Sequence, residues 1–363
     1  MSSTNATLLT QVRGLVTVDV DSMDPDVASR HSKAQKFCDM TSNQAIVYGQ
    51  APLSANKPLL ESAIAHARNK TQLTELQVDS QEFEQDVVDV FTVLLAKQIY
   101  PYLTGNVHAQ TSPSAAYDTE KTIQHAKKLV SLFAENGIPS NRVCIKIPAT
   151  PESLLACREL QASGIQTLAT CLFSLPQALA ASQANCTYVA PYFNELRVHF
   201  QPGVWVDYAD PKSEHPMSSV ILDIVHAFRH IGSQTKVMPA SIVTTNEICS
   251  LKSIQVIALV SLRPDHLTLS GSVLDALDAS PTVSSELFAP PLAPPTSKSL
   301  NKDYLVDDGA SLREAFAADE VVQRKLTDAL SIFDEKEAET RKLVKALVAG
   351  KILPKIYIKF TMR

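Results

Sequence analysis

The sequence predicts an α/β fold: a single (β/α)8 TIM barrel with additional C-terminal helices. Eight short β-type runs alternate with amphipathic helical stretches, the pattern of a parallel sheet closed by crossover helices. No second domain of different patterning interrupts them. No glycine-rich loop of the dinucleotide- or phosphate-cradling kind follows the first run, which counts against an open doubly wound sheet.

The β-type runs are 14–21 (GLVTVDVD), 37–43 (FCDMTSN), 105–110 (GNVHAQ) and 143–148 (VCIKIP), then 165–173 (IQTLATCLF), 186–193 (CTYVAPYF), 235–241 (TKVMPAS) and 266–271 (HLTLSG). They are rich in Val, Ile and Thr, and most follow Gly, Asn or Pro. The interval 44–104 is long for one crossover and predicts two or three helices. One of them covers 83–98, where Phe83, Val87, Val88, Val90, Phe91, Leu94 and Leu95 recur. Across 119–136, Ile123, Ala126, Leu129, Val130 and Phe133 keep helical spacing until Gly137 stops the helix. The barrel is assigned to residues 1–287 and a Pro-rich connector to 288–300. A helical extension over 301–363 is expected to pack back on the barrel. Its apolar face is Leu312, Phe316, Val321, Leu326, Leu330, Phe333 and Leu343, and its last segment, KILPKIYIKF, reads as a docking tail.

With 45% hydrophobic and 20% charged residues, the chain has the balance of a globular protein able to bury a sizeable core. A formal charge of −5 supplies no general basic field, so nucleic acid is not an expected partner. The six cysteines are scattered without a CxxC pair and read as buried, reduced thiols. The segment MSSTNATLLTQ lacks the charged-then-apolar pattern of a signal peptide, FTMR matches no common targeting tail, and no apolar run reaches membrane-span length. The expectation is therefore a cytoplasmic protein without membrane partners. His226 and His230 stand four apart with no acidic ligand beside them and read as surface residues, so no metal site is expected. The N-x-[ST] sequons at Asn5, Asn69 and Asn185 mean little in that compartment.

In a parallel barrel the active site gathers at the C-terminal ends of the strands. There the sequence puts Asp21, Asn43, Gln110 and Lys146, then Thr170, Tyr192, Ser241 and Ser270 or Ser272. Lys146 is the most informative. Within V-C-I-K-I-P, burial disfavours the ammonium and lowers its pKa. A neutral amine can attack a carbonyl and form an iminium that serves as an electron sink. A buried stem with a head that snorkels to the barrel mouth fits the same spacing, and the residues alone leave both readings open.

The segment I-K-I-P-A-T (145–150) resembles the Schiff-base lysine segment of the transaldolases and fructose-6-phosphate aldolases. The resemblance continues in order through D-S-M-D (21–24), T-S-N (41–43), H-A-Q (108–110), S-P-S-A-A-Y-D-T-E-K-T-I (112–123), T-L-A-T-C-L-F-S (167–174), Y-V-A-P-Y-F-N (188–194) and V-M-P-A-S (237–241). It covers about residues 14 to 277 and, more weakly, the C-terminal helices. It implies a (β/α)8 barrel and a cofactor-free transferase or aldolase of carbohydrate metabolism, typically the pentose phosphate pathway. The implied substrate is a sugar or sugar phosphate; a homodimer rests on the resemblance alone. Carried over, Lys146 would form the Schiff base and Asp21 would move the proton of the C4 hydroxyl. Thr170 and Gln110 would orient the water of imine formation. In the fructose-6-phosphate aldolase branch glutamine and tyrosine hold that water, and Tyr192 would supply a hydroxyl for acid/base work that a phenylalanine cannot. Asn43 would bind the three-carbon donor, and Ser241 the donor or the acceptor phosphate.

Four positions depart from the ordinary transaldolase pattern. Gln110 stands for glutamate, Tyr192 for phenylalanine, Leu168 for asparagine and Ala190 for serine; each resembles the fructose-6-phosphate aldolase branch. Two basic positions fall at Glu195 and Val243, which removes planar phosphate donors. Arg197, His199 and Lys212 in the 197–216 loop are the substitutes on offer, Arg197 first. Three functions follow: transfer or cleavage of a dihydroxyacetone unit, including an aldolase-like lyase; a specialised biosynthetic aldolase acting on a non-phosphorylated carbonyl compound; and a catalytically silent barrel used for binding.

Overall fold

Parallel pairing organises the chain, because each strand is followed by a helical crossover that returns it to the same end of the sheet. The computed structural model describes residues 6–71, 80–243, 254–291 and 300–350. Its strands are β1 (Thr17–Val20), β2 (Val107–Gln110), β3 (Val143–Pro148), β4 (Gln166–Leu172), β5 (Tyr188–Pro191), β6 (Lys236–Val237) and β7 (His266–Leu269). Every ladder is parallel. β2 through β6 pair in sequence order and β1 pairs with β7. All positions of β2, β3, β5 and β7 are buried, as expected of strands covered on both faces.

Two of the eight expected strands are cut short. In 37–43 only isolated bridges form: Phe37 pairs with Leu103, and Met40 bridges Val20 on one side and Val107 on the other. Carboxylates take the neighbouring main-chain donors: Asp39 N–H donates to Asp19 Oδ1 and Asn106 N–H to Asp39 Oδ1, each at 2.8 Å. The run 235–241 keeps only Lys236–Val237 as strand, because Pro239 has no N–H and Ser241 turns to φ +59°. The ladders therefore form two sheets with two seams. Met40 spans one seam. Across the other, Asp265 N–H donates to Val237 O (3.0 Å) and Thr268 N–H to Pro239 O (3.4 Å), carrying main-chain hydrogen bonds round all eight segments.

Among its described residues, the interval 44–104 contains three α-helices, Gln44–Gln50, Lys57–Thr71 and Gln81–Ile99. In the last, Phe83, Val87, Val88, Val90, Phe91 and Leu95 are buried and Leu94 partly so. Thr119–Glu135 is capped by Asp118 and ends before Gly137 at φ +84°; its Val130 is only partly buried. The C-terminal part supplies the helices Ala310–Ala317 and Glu320–Val348. Leu312, Leu326, Leu330, Phe333 and Leu343 are buried as expected, and Phe316 partly. Val321 departs from that face. It is 56% exposed in the first turn, and its neighbour Val322 is buried instead. The long helix packs against Gln44–Gln50, Gln81–Ile99 and the turn Leu196–His199. Most of the Pro-rich connector and the tail KILPKIYIKF lie outside the described residues. The five described cysteines are free thiols, four of them buried. Among the described residues, no helix is long and apolar enough to cross a membrane.

A buried ion cluster fastens Gln81–Ile99 to Thr119–Glu135. Asp89 accepts from His125 Nε2 (3.1 Å) and Lys128 Nζ (2.6 Å). Burial penalises the carboxylate, but His125 and Lys128 outweigh it and bring its pKa to about 2. His125 is likewise pushed up, with Asp89 overcoming the burial cost. A depressed carboxylate pKa stabilises above the unfolded value of about 3.9 and loses that contribution as pH falls toward 2. The raised imidazole contributes fully below about 6.5 and fades as pH climbs through its folded value. Thermal melts across pH should therefore show the midpoint falling between pH 4 and pH 2. Asp89→Asn should flatten that fall and cost about 2 kcal/mol at pH 7.

Candidate active site

Lys146 lies on β3 between Ile145 and Ile147, both fully buried, and is itself 2% exposed. Burial lowers its pKa, and the nearby Asp21 and Cys171 only partly offset this. Asp21 follows β1, anchored by its N–H to Leu269 O at 2.9 Å. Its Oδ1 accepts from Thr41 Oγ1 at 2.6 Å, and Thr41 Oγ1 lies 2.6 Å from Thr268 Oγ1. Burial raises the Asp21 pKa, against the charge of Lys146 and the Thr41 hydroxyl. Both groups are thus driven toward their neutral forms while each favours the other's charge, the setting in which a proton moves at little cost.

Thr170 and Tyr192 form a second pair. Thr170 Oγ1 donates to Tyr192 Oη at 3.1 Å, and the Tyr192 ring centroid lies 6.0 Å from Lys146 Nζ. The register between β4 and β5 shifts between Ala169 and Leu172, and Cys171 stands at this irregularity with φ +51°. Burial lifts the Cys171 thiol to about 12 and the Tyr192 phenol well above its ordinary value, so both keep their protons.

Asn43 caps the helix Gln44–Gln50, its Oδ1 accepting from Ile46 N–H at 3.0 Å. Gln110 is in register with Lys146 across β2 and β3. Its Nε2 donates to Gln44 Oε1 (2.7 Å), while its Oε1 is buried without a partner. Ser241, in the left-handed region, has its carbonyl held by Asn194 Nδ2 (2.8 Å) and its Oγ 2.8 Å from His199 Nε2.

A cavity of about 770 Å³, open mouth included, unites Asp21, Asn43, Lys146, Tyr192 and Ser241, with Ser270 and Ser272 at its rim. Thr170 reaches it through Tyr192. Gln110 instead lines an adjoining cavity of about 370 Å³ whose wall also contains Asn43. Arg197 is absent from both walls: its guanidinium pairs with Glu195 (3.0 Å) and Asp328 (3.2 Å). Lys212 donates to Ala289 O, whereas His199 does line the main cavity. His226 is half-buried and His230 exposed.

Sequence reasoning passed over Thr41, Thr268, Gln44 and Glu337. Glu337 is 2% exposed, accepts from Ser112 Oγ (2.7 Å), and is pushed up by burial at the wall of the Gln110 cavity. A signal existed. Leu326, Leu330, Phe333, Glu337, Thr340 and Val344 continue one buried stripe, so an acid and a hydroxyl fall on an apolar face. Toward the other end of the strands, a carboxylate of Asp19, the Cys38 thiol and a His266 nitrogen lie within 4.8 Å of one another, the geometry of metal ligands. There Asp19 pairs with His266 (2.8 Å) and Cys38 donates to Asp39 (3.3 Å).

A family model described as transaldolase/fructose-6-phosphate aldolase matches residues 17–344. Similar proteins named transaldolase include one from Gibberella intermedia, 28% identical over 313 residues, 86% of this chain and 90% of that one. Another, from Xanthomonas oryzae pv. oryzae strain PXO99A, is 28% identical over 346 residues, covering 94% and 98%. A third, from Shewanella amazonensis, is 26% identical over 344 residues, covering 95% and 100%.

Proposed function

The chain belongs to the transaldolase/fructose-6-phosphate aldolase family, and from that membership we propose that it transfers or cleaves the dihydroxyacetone unit of a ketose through a Schiff base on Lys146. It is an enzyme of the transferase and aldolase type. The observation that carries the mechanism is the buried Lys146–Asp21 couple on the wall of one cavity.

Burial keeps a larger share of Lys146 as the free amine, which attacks the C2 carbonyl of the ketose. The carbinolamine loses its hydroxyl as water. We assign the proton to Tyr192, whose ring centroid lies 6.0 Å from Lys146 Nζ and whose oxygen accepts from Thr170 Oγ1, leaving its own proton free to donate. Asp21 then takes the proton of the C4 hydroxyl. The C3–C4 bond breaks, its electron pair flows into the iminium, and an aldehyde departs from the enamine left on Lys146. Addition of the enamine to a second aldehyde, with Asp21 returning the proton to the new C4 hydroxyl, regenerates an iminium. Its hydrolysis by water releases the new ketose and the free Lys146 amine, completing transfer. Protonation of the enamine followed by hydrolysis completes cleavage. Asn43, Ser270 and Ser272 offer hydrogen bonds to the donor's hydroxyls. We assign the reaction to the cytoplasm on the free state of the described thiols.

Borohydride reduction of the protein with dihydroxyacetone or a ketose, followed by peptide mass analysis, tests this reading. It is wrong if no carbonyl compound adds mass at Lys146. Aldehyde release without an added acceptor separates cleavage from transfer. Tyr192→Phe should slow adduct formation by about 10²-fold, the lower end for a general acid, and leave the adduct trappable on long incubation.

A further inference from the structure

We infer that the acceptor aldehyde is unphosphorylated, with a neutral, carbon-rich far end; this rests on the Lys146 reading above. The cavity is divided by chemistry. The segments after β1 and β7 and around Met40 contribute Asp21, Asn43, Ser270 and Ser272, a hydroxyl-binding sector. The segments after β5 and β6 contribute Leu196, Phe200 and Ile242, joined by Ile46. A three-carbon ketone dense in hydroxyls matches the first sector. The second has little to offer an ion.

A phosphate monoester brings close to two negative charges and three acceptor oxygens into a site. It calls for guanidinium or ammonium groups, and leaving them out strands a desolvated anion. Among the described residues on the wall, Lys146 is the one Lys or Arg, and its nitrogen is consumed by the imine. Three cations of the Leu196–His199 turn and the helix packed on it are committed elsewhere. Arg197 and Arg324 both pair with Glu195 and Asp328, a four-charge knot closed on itself. Lys336 stands 5.8 Å from the Phe200 ring and pairs with Glu335 and Glu339.

His199 adds no charge. Burial depresses its pKa to about 4, so it is a neutral imidazole at pH 7. With Ser241 it makes a neutral hydrogen-bonding couple, held by the unusual backbone of Ser241 and the grip of Asn194. Such a couple reads a hydroxyl or a carbonyl oxygen beside hydrocarbon.

The test uses the full chain with dihydroxyacetone as donor. Borohydride trapping at Lys146 is scored first and separately. Acceptor kcat/KM is then compared for D-glyceraldehyde 3-phosphate, D-glyceraldehyde and butanal. The expected result is a preference of at least about tenfold for an unphosphorylated acceptor, without competition from millimolar inorganic phosphate. Parity, or preference for the phosphorylated aldehyde, overturns the inference and leaves the Lys146 reading intact. Absence of any adduct defeats both. Ile242→Arg should raise kcat/KM for the phosphorylated acceptor by about tenfold by placing a guanidinium on this wall. If that variant fails to fold, the wild-type ratio decides.

Discussion

Lys146→Ala should abolish the borohydride adduct and lower kcat by about 10⁴-fold or more, because no covalent route survives loss of the amine. Lys146→Arg should fail equally. A guanidinium keeps the positive charge but is not deprotonated in proteins and forms no imine. The two variants together separate a nucleophile from a merely electrostatic lysine. Misfolding would not mimic the result, because Lys146 is a burden on the fold. Its folded pKa lies below the unfolded value, so the penalty is present at neutral pH and disappears as pH rises past about 10. The alanine variant should therefore melt at or above the wild-type temperature at pH 7. A catalytically silent barrel would show no loss, since it has no turnover to lose.

Asp21→Asn should reduce turnover by about 10² to 10⁴-fold while the Lys146 adduct still forms. The carboxylate is needed to break and remake the C3–C4 bond, whereas imine formation draws on Lys146 and Tyr192. Ketose would accumulate on the enzyme, visible as adduct without aldehyde release. The pH dependence gives an independent reading. Because burial raises the Asp21 pKa, the wild-type acidic limb should lie above the ordinary carboxylate range, with activity lost as pH falls through it. Asparagine should remove that limb. It should also shift adduct formation to lower pH, because the Asp21 charge holds the Lys146 pKa up. Unchanged turnover in Asp21→Asn would place the base elsewhere.

The fold was legible wherever it depends on period and punctuation. Runs such as VCIKIP and the stripe from Ile123 to Phe133 follow directly from alternation and helical spacing. What escaped depends on contacts between distant segments. Asp19 and Asp39 consume main-chain donors around Met40, so a run with strand composition forms three isolated bridges and no ladder. Strand-end logic brought Asp21, Asn43, Lys146, Tyr192 and Ser241 to one cavity wall, since alternation sets which residues face the barrel interior. It placed Arg197 poorly, because the direction of a loop side chain is fixed by its partners, here Glu195 and Asp328. Glu337 belongs to the adjoining cavity only once a helix some 190 residues after Lys146 has docked.

The same helix has a consequence for the order in which the protein becomes active during synthesis. The Leu196–His199 turn, which supplies part of the cavity wall, is tethered through Glu195 and Arg197 to Arg324 and Asp328. The ribosome makes Lys146 and Asp21 long before those anchors leave the exit tunnel. A nascent chain stopped before residue 320 would carry the amine and the carboxylate with this wall unfastened and water admitted beside them. Reactivity toward carbonyl compounds should mature only with the last part of the chain, when the Leu196–His199 side of the cavity is fastened in place.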